Sequence, residues 1–277
     1  MTLGGLQHRA PIGPSANPHA RLPSAPSLLQ ELNGSMRELA RRVAESPSLA
    51  RQVLDLAVLD GRPGLDVGQA LTVLGADNAR WRVQTAAVLC ALRPADPALG
   101  RWWHRHAAMT AVAARSMGGR FAPTLEPEES FCCALLHDMG HLVRAHLNPD
   151  EMRRVLALAR ADGRTLCEAE VDGAVARHTE LGALLAMRWG LPDAVVDVCM
   201  HHEDDAQDIA EPRSGALVKL VAAGSRMADL VLFPAPRATR ARLRDEVKAL
   251  LGLDDEGFLG AMSRVYDLRP AVVSYAG

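Results

Sequence analysis

Aromatic residues make up only 4% of this 277-residue chain, and no stretch alternates apolar and polar residues with period two. Both absences argue against a sheet, whose half-buried strands need that alternation and favour aromatic side chains. No run approaches the roughly 20 uninterrupted apolar residues of a membrane span, and the N-terminus has no apolar stretch long enough for a signal peptide. The expected location is therefore cytoplasmic, with no membrane partner. A block of one charge sign is also missing. Lys plus Arg is 31 and Asp plus Glu is 33, for a net charge of −2, and no basic stretch could track a phosphate backbone, which argues against nucleic acid as the primary partner. The five cysteines, Cys90, Cys132, Cys133, Cys167 and Cys199, are odd in number and lack CxxC spacing. They read as buried free thiols in a reducing compartment. There is no Gly-x-Ser-x-Gly elbow, no phosphate-binding Gly-rich loop ending in Lys-Ser or Lys-Thr, and no His-Glu-x-x-His.

What is present is helical periodicity. With 48% hydrophobic and 23% charged residues, the chain can bury a sizeable core. Residues 1–21, rich in proline and glycine, are expected to be a flexible lead. From Ser27 onward apolar residues recur at three- and four-residue steps, as in Met36, Leu39, Ala40 and Val43. Further helices are predicted at about 47–59, 66–74, 77–92, 98–118, 127–146, 149–162, 165–189, 192–202, 213–231, 240–251 and 255–265. Pro127, Pro149 and Pro192 lie where proline suits a first helical turn, and Gly75, Gly118-Gly119 and Gly190 where a helix ends. The predicted fold is all-α, a multi-helix bundle with no significant sheet.

Histidine carries the chemical signal. His104 and His106, the doublet His137-Asp138, His178, and the tandem His201-His202 all fall in helical context, widely separated along the chain. Bundle metal sites are assembled in this way, from side chains projecting inward from several helices. Imidazole is the commonest metal ligand, and a neighbouring carboxylate widens the choice from Zn to Fe, Mn or Mg. The apolar run Phe131-Cys132-Cys133-Ala134-Leu135-Leu136 delivers the doublet to the inner end of a buried helix, where both polar groups need partners. His8, His19 and His146 read as ordinary surface or helix-end residues. His141, one turn after His137, either joins the site or interacts with a helix C-terminus. Asp204, Asp205 and Asp208 either recruit a cation or form a solvated loop.

Several of these segments resemble one family. Ala134-Leu135-Leu136-His137-Asp138-Met139-Gly140 is similar to the "GLLHDIG" signature of the HD superfamily. His178-Thr179-Glu180-Leu181-Gly182, then Trp189-Gly190-Leu191-Pro192, then His201-His202, resembles the pattern of the HDOD domain, the regulatory relative of the HD-GYP cyclic-di-GMP phosphodiesterases. Leu22-Pro23-Ser24-Ala25-Pro26, Glu38-Leu39-Ala40 with Ser46-Pro47, Gln69-Ala70-Leu71 with Leu74-Gly75, and His106-Ala107-Ala108-Met109-Thr110-Ala111 after a tryptophan extend the likeness. Glu170 takes the place of the glutamate before the "GxxH" segment.

The resemblance places an HDOD-like domain at 22–235, with 236–277 a C-terminal helical extension packed on it. In that extension Arg237, Arg240, Arg242 and Arg244 should face solvent, and Leu243, Val247, Leu250 and Leu251 should pack inward. The implied metal ligands are His106, His137, Asp138, His178, His201 and His202. Two departures bear on activity. The closing aspartate of the phosphodiesterases aligns with Gly224, while Asp229 is expected to face elsewhere, and the Gly-Tyr-Pro loop is replaced by Glu203-Asp204-Asp205-Ala206-Gln207-Asp208. The resemblance therefore implies a non-catalytic bacterial signal-transduction protein that binds a signalling protein partner or a small nucleotide signal, with a divalent metal site retained. The alternatives are a metal-dependent phosphohydrolase acting on a phosphodiester or nucleotide, and a metal-free scaffold whose histidines satisfy one another.

Overall fold

The computed structural model describes residues 23–30, 34–94, 96–162, 165–205, 208 and 212–275, so the expected lead at 1–21 lies outside the described residues. Helices α1 (Met36–Glu45), α2 (Pro47–Leu59), α3 (Val67–Leu74) and α4 (Ala76–Ala91) form the N-terminal part. Next come α5 (Pro97–Phe121), α6 (Pro127–Leu136), α7 (Met139–Leu147), α8 (Pro149–Asp162), α9 (Leu166–Asp172), α10 (His178–Arg188), α11 (Asp193–His201), α12 (Pro212–Leu232), α13 (Arg237–Leu251) and α14 (Asp255–Tyr275). The described residues contain no strand.

Local chemistry sets the helix ends. Ser35 Oγ accepts from the Glu38 N–H at 3.2 Å, and Asp66 with Gln69, like Thr165 with Glu168, forms a reciprocal capping box. Such caps satisfy orphan N–H groups and contribute about 1 kcal/mol each. Prolines occupy the first turns of α2 and α6, and Gly252 ends α13 in the left-handed region at φ 63°, where a Cβ would be strained.

The 25-residue α5, about 37 Å long at helical rise, is the spine. It packs against α6, α12 and α14. α12 runs antiparallel to it, because Gly118 lies by Leu220, Thr110 by Gly224 and Trp102 by Phe233. A buried ionic cluster anchors α6 to this spine. Arg82 donates twice to Glu128, at 2.6 and 2.8 Å, and once to Asp60 at 3.0 Å, and Arg115 also pairs with Asp60. The two guanidiniums lie over the Phe131 ring, 4.7 and 4.3 Å from its centroid. Removing one partner from such a network costs about 3–5 kcal/mol, because the other charge stays buried.

The C-terminal helices share the main core. Phe258, Ala261, Val265 and Val272 of α14 join it, and Gln52 of α2 donates to the Tyr275 hydroxyl at 2.9 Å. In α13, Leu243, Val247 and Leu250 are buried and Leu251 is half-buried. Cys132, Cys133 and Cys199 are buried free thiols, while Cys90 and Cys167 are half-buried. Two predicted helices are each split in the structure. The stretch 127–146 breaks at His137-Asp138, and 165–189 breaks at Gly173-Ala174, where Ala174 takes φ 50°. Both breaks lie beside candidate site residues.

Candidate metal centre

Close helix crossings assemble the site. Gly140, at the start of α7, lies so near the His178 carbonyl and the Gly182 N–H of α10 that a Cβ has no room. That contact seats the first residue of α10 against Asp138. On the other side, a Cβ on Gly224 would lie 3.0 Å from the Thr110 carbonyl, so α12 approaches α5 closely enough for Ser225 Oγ to reach His106 Nε2 at 3.2 Å. The break between α6 and α7 has its own consequence. Consecutive residues of a continuous helix point about 100° apart, whereas here His137 and Asp138 converge, with Nε2 and Oδ2 separated by 3.2 Å.

Asp138 stands at the centre, 5% exposed, and divides its two oxygens between two histidine pairs. Oδ2 lies 3.3 Å from His106 Nε2 and 3.2 Å from His137 Nε2. Oδ1 lies 3.3 Å from His178 Nε2 and 3.2 Å from His202 Nε2, and those two nitrogens are 3.2 Å apart. His106, His137 and Asp138 form one compact donor group, and His178 belongs to two others, one with Asp138 and His141 and one with His202 and Glu203. Ligands about 2.0–2.1 Å from a tetrahedral ion stand about 3.3 Å from one another, which matches these edges.

Proton positions follow from the outer partners. His137 Nδ1 donates to the Ala134 carbonyl at 2.7 Å and His202 Nδ1 donates to the Val198 carbonyl at 2.9 Å. His178 Nδ1 donates to Glu170 Oε2 at 2.8 Å. With the proton on Nδ1, each Nε2 presents a lone pair, and each faces the acceptor-only Asp138 carboxylate. His137 Nε2 is buried with no hydrogen-bond partner. Such a ring of lone pairs around a carboxylate is a setting that attracts positive charge, and outer-shell bonds of this kind are those that orient histidine toward metal. The residues present therefore fit divalent metal.

The electrostatics are consistent with this. Burial pushes the Asp138 carboxyl upward, but the facing imidazoles, led by His137, hold it well below the usual carboxylate range. Burial lowers His137 and, together with the neighbouring His178, lowers His141 strongly. Burial also opposes protonation of His178 and His106, yet Glu170 and Asp229 respectively raise them. Glu170 is itself held far below its ordinary value, against burial, by His178, His141 and Arg144.

The cluster opens into a cavity of about 860 Å³, with Trp102 and Phe233 on one wall and Leu243 and Leu250 of α13 on another. Trp102 stacks parallel to His106 at 5.8 Å and packs against Phe233 at the same separation. Arg226, 7% exposed, is committed: it donates to the His202 carbonyl at 2.7 Å and to Glu246 at 3.0 Å, and lies 3.5 Å from Glu203.

The structure thus brings together His106, His137, Asp138, His178 and His202. His201 is elsewhere, with its side chain 49% exposed and paired with Asp204 at 2.7 Å. Adjacent helical residues point about 100° apart, and His202 follows Val195 and Val198, at steps of three and four, on the buried face of α11. His104 also points away, donating to the Gly100 carbonyl at 2.6 Å. Asp229 corrects the sequence expectation. It faces the site, its Oδ1 3.3 Å from His106 Nδ1, because Ser225 and Asp229 are one turn apart on the α12 face toward α5. Gly224 is instead the crossing point of the two helices. His141, for which the sequence left two roles open, belongs here, as do Arg144 and Glu203, which the sequence did not single out as site residues. His141 stacks on His178 with 4.1 Å between ring centroids, Arg144 pairs with Glu170, and Glu203 closes the His178–His202 side. The periodicity of α7 places His141 and Arg144 on one face, a signal available in the sequence.

Comparison with known proteins agrees with this architecture. The model of the HDOD domain matches residues 24–205. An HDOD domain protein of unknown function from Geobacter sulfurreducens superposes with a TM-score of 0.69 at 22% identity, over 92% of this chain and 93% of that one. A protein from Shewanella amazonensis SB2B, provisionally described as a phosphohydrolase, gives 0.69 at 22% identity over 93% and 96%. A protein from Marinobacter aquaeolei VT8, provisionally described as a signal-transduction protein, gives 0.70 at 23% identity over 92% and 59%. At these identities the likeness is one of fold. An uncharacterised protein of Treponema pallidum (strain Nichols) is 24% identical over 197 residues, and the match spans 66% of this chain and 38% of that relative.

Proposed function

The chain belongs to the HDOD domain family, and we propose that it is a regulatory signal-transduction protein of the bacterial cytoplasm that holds divalent metal at Asp138 and presents it to a small anionic signal, such as a nucleotide, or to a signalling partner. The observation that carries this reading is the Asp138 carboxylate, whose two oxygens each face two histidine Nε2 atoms at 3.2–3.3 Å. His106, His137 and Oδ2 would hold one ion, and His178, His202 and Oδ1 the other. Fe, Mn, Mg and Zn all accept such mixed nitrogen and oxygen donors. A bound divalent ion supplies positive charge and Lewis acidity to an anionic ligand. The protein's own groups orient the imidazoles, exclude water from their far sides and shape the cavity.

Binding without turnover is favoured because the buried guanidinium beside the cluster, Arg226, is occupied by Glu203, Glu246 and a carbonyl. It is not free to hold a leaving phosphate. Metal-dependent phosphohydrolysis is the second reading, favoured by the large cavity that opens onto the cluster. The test is incubation of Mn- or Fe-loaded protein with cyclic-di-GMP and with a generic phosphodiester. The expected outcome is ligand-dependent stabilisation without product. Turnover that Asp138→Ala abolishes would overturn the regulatory reading in favour of the hydrolase.

A further inference from the structure

The two histidine pairs around Asp138 are built alike in outline. Each contains one imidazole backed by a main-chain carbonyl, His137 by Ala134 and His202 by Val198. Each contains one imidazole beside a carboxylate, His106 by Asp229 and His178 by Glu170. The carboxylates differ in how firmly they are held. Glu170 is 0% exposed, and its Oε2 accepts both the ring Nδ1–H of His178 at 2.8 Å and the same residue's backbone N–H at 3.0 Å. Its Oε1 is gripped by Arg144, 1% exposed, which also donates to the Ala176 carbonyl and to Glu151. The far face of the His178 ring is packed by His141. His178 therefore has one orientation and one tautomer.

Trp102 and Phe233 stack on His106, but its carboxylate partner is not clamped in the same way. The side chain of Asp229 is 34% exposed on the cavity wall, and its Oδ1 lies 3.3 Å from His106 Nδ1, a longer contact than the 2.8 Å between Glu170 and His178. His106 Nε2 also has the Ser225 hydroxyl within 3.2 Å, a neighbour that competes for the lone pair an ion would use. Asp229 sits on the Nδ1 side of the ring, whereas the Asp138 oxygen is on the Nε2 side, which makes Asp229 an outer partner of His106 and not a member of the compact donor group.

We infer that the two halves fill in a fixed order: the His178–His202 half takes an ion first and holds it more tightly, and Glu170, clamped by Arg144, is the positioning residue that sets this order. The inference rests on the metal-holding reading above. A preorganised donor set spends less binding energy on ordering itself, and outer-shell partners of ligating histidines change metal affinity about 10–100-fold when removed.

The test uses the full chain, stripped with a chelator and titrated with Mn²⁺ alone, following free ion by electron paramagnetic resonance and heat by calorimetry. Two steps of one ion each are expected, the first tighter by about tenfold or more. Glu170→Gln should weaken the first step about 10–100-fold and spare the second, whereas Asp229→Asn should weaken only the second. Circular dichroism and thermal melting report whether each variant folds. Should Glu170→Gln fail to fold, Arg144→Gln provides the same comparison with a smaller loss in the first step. Two steps of equal affinity, or Glu170 and Asp229 variants that weaken the same step, would overturn the order. No Mn²⁺ binding at all would sink the metal reading, and the order with it.

Discussion

The His178–His202 half of the centre lies among α7, α9, α10 and α11, and the polar side chains behind it are closed off from solvent. The His106–His137 half lies between α5, the end of α6 and α12, and both halves reach the cavity, one through His106 and Asp229 and the other through His178 and Glu203. The same residue types serve both, so the difference comes from packing. Where a carboxylate is buried it must be paired, and Arg144 together with the His178 backbone N–H does this for Glu170. Where the carboxylate touches the cavity, water can solvate it, and Asp229 has no such clamp. One half therefore has its outer carboxylate fixed by the fold, and the other has an outer carboxylate open to what enters the cavity.

The strongest way to break the comparison is at Gly140, whose missing Cβ is what lets the His178 carbonyl sit against α7. Gly140→Ala should cost about 3 kcal/mol or more, at the upper end of overpacking penalties, measurable by denaturant unfolding. The folded fraction should lose the tighter Mn²⁺ step. A smaller effect on stability is expected for His202→Ala, which should reduce bound metal by one ion per chain in elemental analysis. His201→Ala should leave both ions in place, since that side chain is exposed and turned to Asp204. Among the glycine changes, Gly224→Ala should have the smaller effect. There the Cβ meets the Thr110 carbonyl at 3.0 Å, and that strain is opposed by the roughly 1 kcal/mol that alanine gains over glycine inside a helix. The melting temperature should move by no more than a few degrees, with any loss confined to the weaker metal step.

The all-α architecture was legible in the sequence because three- and four-residue periodicity recurs along most of the chain and the proline and glycine punctuation falls at helix boundaries. Four of the five histidines expected at the site, together with Asp138, converge as the motifs suggested. What could not be read depended on geometry within a helix or between two of them. The tandem His201-His202 names two residues, but they point about 100° apart, and only His202 turns toward Asp138. Asp229 aligned poorly with the expected closing aspartate because Gly224, five residues earlier, occupies the crossing with α5. The break at His137-Asp138 leaves no mark in a helical pattern that continues to about residue 146, and the chain of contacts from Arg144 through Glu170 to His178 links residues up to 34 positions apart.

Anomalous diffraction from crystals grown with Mn²⁺ tests the central claim most directly, because it counts the ions and places them relative to Asp138. The account predicts two peaks on opposite sides of that carboxylate, one between His178 and His202 and one between His106 and His137, with the first persisting at lower Mn²⁺ concentration. A crystal with no peak at Asp138, or with an ion held by His201, would contradict it.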